Sequence, residues 1–340
     1  MTSTSFYIAA TALTFIPMVT GTISIVASSI AIIKILQSES KLSNPYNRLF
    51  IGMCIFDIMS SSCHASSSLP IPKNGKWYWA FGNDTTCQIQ GYILLLSIVS
   101  TPFYNLALCI YFLCVIKYSM TDQRFRELFE PYLHGFPILY GLVTATYTLC
   151  IGYINPSKIM YLCWINPPPD GKYIGLGLMI NAIPWIAIFI CIVATMGAIF
   201  WTVYQQEKTM QRYRFELNAG VDPLIRNTPR SQAIQERSQN KINAVRSRAT
   251  WFFGAYLLCY TPMFLVMIRV PCLILARTLY PLQGVFNLCA HLQPQVSSIQ
   301  RENPDYWYLR ALYTALMRLD ADLDTRSSGV SRRRSSRRLR

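Results

Sequence analysis

The sequence predicts an all-α membrane protein: a seven-transmembrane helix bundle in the plasma membrane, with the N-terminus outside and the C-terminus in the cytoplasm. Hydrophobic residues make up 52% of the 340 residues and charged residues 14%, whereas soluble domains carry roughly a quarter charged residues. The apolar residues are grouped in runs near the ~20 residues that cross a bilayer. The basic residues are concentrated on one side of these runs, and cytoplasmic segments retain positive charge.

Seven apolar runs follow one another along the chain. They cover residues 12–33, 47–69, 87–116, 132–154, 173–204, 250–268 and 272–291. The first run is too long for a cleaved signal peptide and has no positive segment before it, so we expect it to remain in the protein. The last two runs are the weakest, because Arg269 and Pro271 barely separate them and Arg277 interrupts the seventh. A chain of six spans is the alternative.

The distribution of Lys and Arg orients these spans. With the N-terminus outside, 25 of the 31 basic residues face the cytoplasm, five face outward, and Arg277 lies within a span. This arrangement requires an odd number of crossings, which favours seven. The predicted organisation is a short extracellular N-terminus (1–11), a transmembrane domain (12–291) with a long basic third intracellular loop (205–249), an amphipathic cytoplasmic helix (292–319) and a disordered Arg/Ser tail (320–340).

Two cysteines fall on the predicted outer face. Cys87, in NDTTCQIQGY, enters the third span, and Cys163, in YLCWINPPPDG, lies between the fourth and fifth spans. An oxidising compartment favours a disulfide between them, which would attach the outer loop to the third span. Two unpaired thiols are the alternative. Asn83, in the sequon NDT, is a candidate glycosylation site on the same face.

These features together resemble the G-protein-coupled receptors. The stretches TPFYNLALCIYFLCVIKY, CWI and TLYPLQGVFN are similar, more particularly, to the cyclic-AMP-receptor-like branch, which is related to the secretin-like receptors. The resemblance implies a receptor rather than an enzyme, without a cofactor. Its implied partners are an extracellular ligand and a heterotrimeric G protein, with adenylate cyclase and cyclic AMP as the output. A cyclic nucleotide is not assumed as the ligand, because no cluster of outward-facing arginines suits its phosphate.

The seventh span contains residues that disfavour a regular helix. Pro281 removes a backbone hydrogen bond and bends the span, and Gln283 or Asn287 can satisfy the carbonyls that the bend releases. Gly284 permits close contact with another helix. We predict a kinked hinge, and the resemblance implies that it rearranges on activation; a static kink is the alternative. Pro262 predicts a second bend in span six.

Asp57 is an acidic residue well within the second span. Charge inside a membrane is costly, so we expect Asp57 to face the bundle and to bind Asn105 on span three or Asn287 on span seven. The resemblance implies a sodium site at this position. A protonated aspartic acid that donates one hydrogen bond is the alternative.

Four residues at the cytoplasmic ends of the spans are predicted to face the G protein. Lys117 and Tyr118 end span three, and Arg246 and Arg248 precede span six. An acidic partner for Lys117 is absent from that end of span six, so other contacts must hold the inactive state. Glu127 and Glu130 are candidate partners for these bases, and a solvated position is the alternative for both.

The agonist is expected to enter from outside, between the upper parts of spans two to seven. The aromatic candidates near this pocket are Tyr92, Tyr104, Trp164 and Trp185. Packing is the alternative role for each of them, and it is the commoner one for aromatic residues in a bundle.

The basic loop and tail also suit the anionic lipid of the inner leaflet. Ser335 and Ser336 lie in the tail, in the stretch SRRRSSRRLR. Both are candidates for phosphorylation, which would weaken the attraction between the tail and the lipid.

Three other functional classes fit the sequence less well. A retinal-binding pump needs a lysine in its last span, and no lysine follows Lys241. A metal-dependent hydrolase needs clustered histidines and carboxylates, whereas the three histidines are dispersed. An ion-coupled transporter is the runner-up, although Asp57 and Arg277 are few buried charges for that function. Nucleic acid is not an expected partner, because topology explains the basic charge.

Overall fold

The computed structural model describes residues 3–38, 40–73, 77–157, 160–167, 174–220, 247–263, 265 and 273–317. Most of them are helical. The helices are α1 (Ser3–Gln37), α2 (Pro45–Ser66), α3 (Asp84–Tyr118), α4 (Asp122–Leu128), α5 (Glu130–Cys150), α6 (Ile174–Gly220), α7 (residues 247–263), α8 (Leu273–Leu279), α9 (Gln283–Glu302) and α10 (Tyr308–Met317). A 3₁₀ turn, Tyr280–Leu282, joins α8 to α9, and two antiparallel strands, β1 (Ile154–Ser157) and β2 (Leu162–Ile165), follow α5.

Polar side chains lie inside the bundle, and large apolar ones lie on its surface. Ser24, Asp57 and Ser97 are buried, whereas Leu139 on α5 and Ile190 on α6 are 63% and 60% exposed. Such a surface is unfavourable in water, because apolar groups are driven out of contact with it. It suits a bilayer, since lipid tails are as apolar as these side chains. The chain is a multi-pass membrane protein.

Four described helical segments are long and apolar enough to cross a membrane. They are Thr11–Gln37, Pro45–Ser66, Asp84–Tyr118 and Ile183–Gln205, and they coincide with predicted spans one, two, three and five. The described segments of the other predicted spans are shorter or more polar. In span six, the continuously described part of α7 ends at residue 263. Span seven is divided by the 3₁₀ turn, and its helix α9 carries polar Gln, Asn and His side chains.

A β hairpin covers one end of the bundle, which we call the disulfide end. Cys87, near the start of α3, and Cys163, on β2, form a disulfide with their Cα atoms 5.4 Å apart, so the predicted pairing is confirmed. Gln90 Nε2 donates to the Ser67 carbonyl at 2.7 Å, and Gln90 Oε1 accepts from the Cys163 backbone N–H at 3.1 Å. These bonds hold the hairpin and the end of α2 against α3.

At the opposite, distal end, α4 leads the chain from α3 into α5. Glu130, at the start of α5, accepts two hydrogen bonds from the Arg48 guanidinium, and the bond from Nη2 is 2.6 Å long. The expectation that Glu130 pairs with the bases of span three or six is therefore corrected. Its partner lies on α2, because α4 brings the start of α5 beside that helix.

The end of span seven differs from the predicted boundary. The helix α9 continues to Glu302, whereas the sequence predicts that the span ends at residue 291 and that an amphipathic helix covers 292–319. The separate helix α10 covers Tyr308–Met317. Residues 318–340, which include the predicted tail, lie outside the described part of the chain.

The helix α10 is amphipathic, packs against α9 and also contacts α1. Its residues Ala311 and Ala315 are buried, and the carbonyl of Ala315 accepts from Lys34 Nζ at 3.2 Å. Leu309 and Tyr313, which share the opposite face, are exposed. A helix with one face on the bundle and an exposed apolar face suits the surface of a membrane.

Candidate functional site

A polar core runs through the middle of the bundle and includes the break in span seven. Pro281 lies in the 3₁₀ turn, and helix continues on both sides of it. Proline has no backbone N–H, so the regular series of helical backbone hydrogen bonds is interrupted there. Tyr280 and Pro281 are both buried. The break therefore faces neighbouring helices rather than lipid.

Gly284 brings α9 against α1. Its backbone N–H donates to Ser24 Oγ at 3.0 Å. A Cβ atom at residue 284 would lie 2.6 Å from Ser24 Oγ and 2.8 Å from the Ser24 carbonyl oxygen, and it would overlap Ser28 Oγ. Glycine is therefore the residue that the space allows, as small residues permit close helix contact in membranes.

Gln283 and Asn287 bond to side chains of other helices. The Tyr260 hydroxyl on α7 donates to Gln283 Oε1 at 3.0 Å, and Asn287 Nδ2 donates to Asp57 Oδ2 at 2.7 Å. The expectation that these amides satisfy carbonyls released by Pro281 is corrected. Residues four apart share one helix face, and this face of α9 is directed at α7 and α2.

Asn287, rather than Asn105, is the described partner of Asp57. Asn105 Nδ2 instead donates to the Thr101 carbonyl of its own helix at 3.2 Å. The Asp57–Asn287 bond joins α2 to α9, and both residues are buried. Within the described ranges, no three His, Cys, Asp or Glu side chains come together as a metal site. Sodium binding at Asp57 stays a prediction.

Replacing Asn287 with alanine is expected to lower the free energy of unfolding by about 1–3 kcal/mol, because Asp57 then loses its described donor inside the bundle. The exchange variant Asp57→Asn with Asn287→Asp should recover most of that loss, since the amide and the carboxyl group trade places. Tm of the purified protein in detergent measures both. Asn105→Ala is the matched control; a loss equal to that of Asn287→Ala would contradict the role given to the bond.

A small cavity lies above this core, toward the disulfide end. Its lining comes from the hairpin and from α2, α3, α7 and span seven: His64, Leu94, Ile98, Met160, Leu162, Trp164, Met263, Ala276, Arg277, Tyr280 and Pro281. Leu162 and Trp164 share one face of β2, because alternate strand residues do so. The cavity volume is about 20 Å³, which holds about one water molecule. A larger ligand requires the surrounding side chains to move.

Of the four aromatic residues predicted for the ligand pocket, Trp164 lines this cavity. The Tyr92 hydroxyl lies 3.2 Å from Thr146 Oγ1 on α5, and the Tyr104 hydroxyl lies 3.0 Å from His134 Nδ1. Trp185 packs against Tyr260, with ring centroids 5.6 Å apart.

Two polar residues of the cavity were not predicted as site residues. Arg277 is 2% exposed and His64 is 5% exposed. Arg277 Nη1 lies 3.2 Å from His64 Nδ1, and Arg277 Nη2 donates to the Leu13 carbonyl at 3.3 Å. The sequence signal that could have found them is an arginine within an apolar span, because such a residue usually faces the bundle interior.

An aromatic cluster at the distal end, the distal cluster, consists of Tyr46, Phe50, Phe252 and His291. The Tyr46 hydroxyl lies 3.1 Å from His291 Nδ1. The Phe50 ring stacks on His291 with centroids 4.9 Å apart and meets Phe252 edge-on at 5.5 Å. The cluster joins α2, α7 and α9.

Arg248 is half-buried and packs on the distal cluster. Its guanidinium carbon lies 5.1 Å from the centroid of the Tyr46 ring, within the range of a cation–π contact. Lys117 and Tyr118 are exposed at the end of α3, with the Lys117 ammonium 5.4 Å from the Tyr118 ring centroid. Arg246, most of loop 205–249, Ser335 and Ser336 lie outside the described residues.

Asn83 caps the first turn of α3. Its Oδ1 accepts from the Thr86 backbone N–H at 2.9 Å, and Thr86 Oγ1 accepts from the Asn83 backbone N–H at 2.8 Å. This reciprocal pair is a capping box. The residue is exposed, and its glycosylation stays a prediction.

The cavity and the distal cluster are connected through the polar core. Tyr280 lines the cavity and meets the Tyr260 ring edge-on, with centroids 5.5 Å apart. Tyr260 bonds to Gln283, and α9 then carries Asn287 and His291 at successive turns toward the distal end. A change at the cavity therefore has a continuous packed route to the distal cluster.

Among solved structures, squid rhodopsin has a similar fold. The two structures match with a TM-score of 0.63 over 87% of this chain and 81% of that chain, at 15% sequence identity. The chain has a rhodopsin-like fold. No family model matches the sequence, and no curated protein matches it. At this identity the likeness concerns the fold, so the rhodopsin-like fold carries no residue role across to this chain.

Proposed function

We propose that this protein is a G-protein-coupled receptor that transmits the binding of an extracellular ligand to a heterotrimeric G protein. The observation that carries the proposal is the continuous polar and aromatic core, which connects a cavity at the disulfide end to the distal cluster inside a rhodopsin-like fold. Buried polar networks in membranes are costly, and they commonly mark functional sites. The proposed function is that of a receptor rather than an enzyme, as the rhodopsin-like fold favours.

The proposed topology has seven spans in the plasma membrane, with the disulfide end outside. Disulfides persist in the oxidising extracellular compartment, and basic residues are concentrated in the segments that this topology places in the cytoplasm. Lys117 and Tyr118 then face the cytoplasm, where a G protein could bind them, and α10 lies along the inner leaflet. Adenylate cyclase is the proposed effector, as the resemblance to the cyclic-AMP-receptor-like branch implies.

The proposed mechanism is a shift between two conformations. In the described one, Phe252 and Arg248 of α7 pack against Tyr46 of α2 and close the distal end. A ligand that binds better to a conformation with α7 moved outward would favour that conformation by its differential affinity. In this mechanism, the distal cluster is the contact that holds the inactive state.

The first test is a G-protein dissociation assay with a cyclic AMP readout in cells that express the full chain. Native protein is compared with Pro281→Ala and Asp57→Asn at matched surface expression. Signalling that these changes alter would support the receptor and its hinge. Surface-expressed protein that engages no G protein, but moves a solute or carries a current that depends on Asp57, would replace the receptor with an ion-coupled transporter.

Tyr46→Phe is expected to raise basal G-protein dissociation up to about fivefold. The change keeps the ring and removes the hydroxyl that bonds to His291, a bond worth about 1 kcal/mol, and the ratio of two conformations shifts by the same free energy. Tyr132→Phe is the matched control, since Tyr132 is 75% exposed on α5. Equal basal activity in Tyr46→Phe and native protein would show that the distal cluster does not hold the inactive state.

A further inference from the structure

The cavity beneath the hairpin contains a buried positive charge without an acidic partner among the described residues. Arg277 is 2% exposed, and its described hydrogen bonds go to a neutral histidine nitrogen and to a backbone carbonyl. Isolated buried charges are unfavourable unless an opposite charge compensates them. The buried carboxylate of Asp57 is bonded to Asn287 instead.

Two nitrogen atoms of this site have no acceptor among the described residues. The first is Arg277 Nε–H, which is buried and unpaired. The second follows from the bond between Arg277 Nη1 and His64 Nδ1: a guanidinium donates and never accepts, so Nδ1 is the acceptor and the ring proton lies on Nε2. His64 Nε2 is also buried and unpaired. A positive charge and two unused donors therefore belong to residues that line the same cavity.

The remaining lining of the cavity is largely apolar. Leu94 and Ile98 of α3, Met263 of α7 and Trp164 of β2 surround the two polar residues. Unpaired donors in apolar surroundings are costly, because they lose their bonds to water without replacement. An occupant with a negatively charged acceptor compensates the charge of Arg277, whereas water brings no charge.

We propose that this cavity is an anion-binding site, in which Arg277 holds a monoanionic group and His64 orients the guanidinium. The occupant is the carboxylate of a small organic acid. Its short apolar chain packs against Leu94, Ile98 and Met263 after these side chains move apart, because the described cavity holds about one water molecule. A carboxylate accepts from the Arg277 guanidinium, and arginine suits it because the guanidinium and carboxylate geometries match. That this anion is the agonist rests on the proposed receptor function, and the chemical class of the agonist is then a small organic acid.

The test uses the full chain in nanodiscs of phosphatidylcholine, in Hepes buffer without small anions. Sodium butyrate and sodium hexanoate are titrated against Tm, beside butyramide and hexanamide, which keep the chain and lack the charge. We expect the acids to raise Tm saturably and the amides to leave it unchanged. Sodium chloride at equal ionic strength distinguishes an organic from an inorganic anion. If chloride raises Tm as much as the acids do and competes with them, the site binds an inorganic anion, and the anion site stands without the organic acid.

Arg277→Met is expected to weaken the apparent affinity for hexanoate about 30-fold or more, as expected when one partner of a buried charge pair is removed. In the Hepes buffer without small anions its Tm should equal or exceed that of native protein, since an uncompensated charge is gone. A purely structural role for Arg277 predicts a lower Tm instead. Arg301→Met, at an exposed position of α9, is the matched control and should bind like native protein.

His64→Phe provides a second variant if Arg277→Met does not fold. It retains a ring in the cavity and removes the nitrogen that accepts from Arg277 Nη1. Because the guanidinium is then no longer held in place, hexanoate binding should weaken about tenfold. The proposal is overturned if neither the acids nor chloride raises the Tm of native protein, or if the rise persists unchanged in both variants. The nanodisc assay contains no G protein, so it measures anion binding independently of the signalling that the cell assay measures. Anion binding without signalling would reject the receptor alone, and signalling without anion binding would reject the site alone.

Discussion

Replacing Cys87 with serine is expected to lower the free energy of unfolding by about 2–5 kcal/mol, which is the usual loss when a native disulfide is removed from a small extracellular domain. The disulfide connects residues 76 positions apart and attaches β2 to the start of α3. Without it, the unfolded chain gains conformational freedom, and the hairpin over the cavity is held by hydrogen bonds such as that of Gln90. The measurements are Tm of the purified protein and the fraction that reaches the cell surface.

Matched variants distinguish the effect of losing the disulfide from the effect of replacing a cysteine side chain. Cys163→Ser should lose as much as Cys87→Ser, and the double variant should lose little more than either one, because the first change already breaks the bond. Cys150→Ser removes an exposed free thiol of α5 and should leave Tm unchanged. Losses that add in the double variant would mean that the two sites act through packing rather than through a shared disulfide.

Replacing Gly284 with alanine is expected to cost about 1–3 kcal/mol or more, as overpacking does in a filled core. The new methyl group would meet the Ser24 carbonyl oxygen, a backbone atom, at 2.8 Å. Relief requires α1 and α9 to separate, which would also weaken the bond from the Gly284 N–H to Ser24 Oγ. Surface expression and Tm should both fall.

Gly135→Ala is the matched control for this change. A Cβ at Gly135 meets nothing within 4 Å, and alanine favours a helix over glycine by up to about 1 kcal/mol. Its Tm should therefore stay unchanged or rise. Ser24→Gly combined with Gly284→Ala should recover part of the loss, because the hydroxyl contact disappears while the carbonyl contact remains. Equal effects of Gly284→Ala and Gly135→Ala would contradict the close contact between α1 and α9.

Local patterns were enough to predict the elements that depend on local physics. Runs of apolar residues predicted the four spans whose length and hydropathy the structure bears out, because burial in lipid depends on composition over about 20 residues. The pairing of Cys87 with Cys163 followed from placing both on one side of the membrane. The break at Pro281 followed from the missing backbone N–H, which is a property of that residue alone.

The partners of buried side chains could not be predicted in the same way. Asp57 was expected to bind Asn105 or Asn287, and the packing of α9 against α2 selects Asn287. Glu130 was expected near the bases of other spans, and it binds Arg48. Arg248 was expected on the surface, and it lies over Tyr46. Each outcome depends on how helices are rotated about their axes, which no single helix encodes.

By itself, the sequence determined a helical membrane protein, four of its spans, the disulfide and the break in span seven, because each depends on the composition, sidedness or backbone chemistry of a short stretch. Tertiary structure alone decided that Arg277 and His64 meet in one cavity, that α9 touches α1 at Gly284 and that the distal cluster joins three helices. These contacts connect residues more than two hundred positions apart. Their formation depends on the relative position and rotation of packed helices, which is a property of the whole bundle.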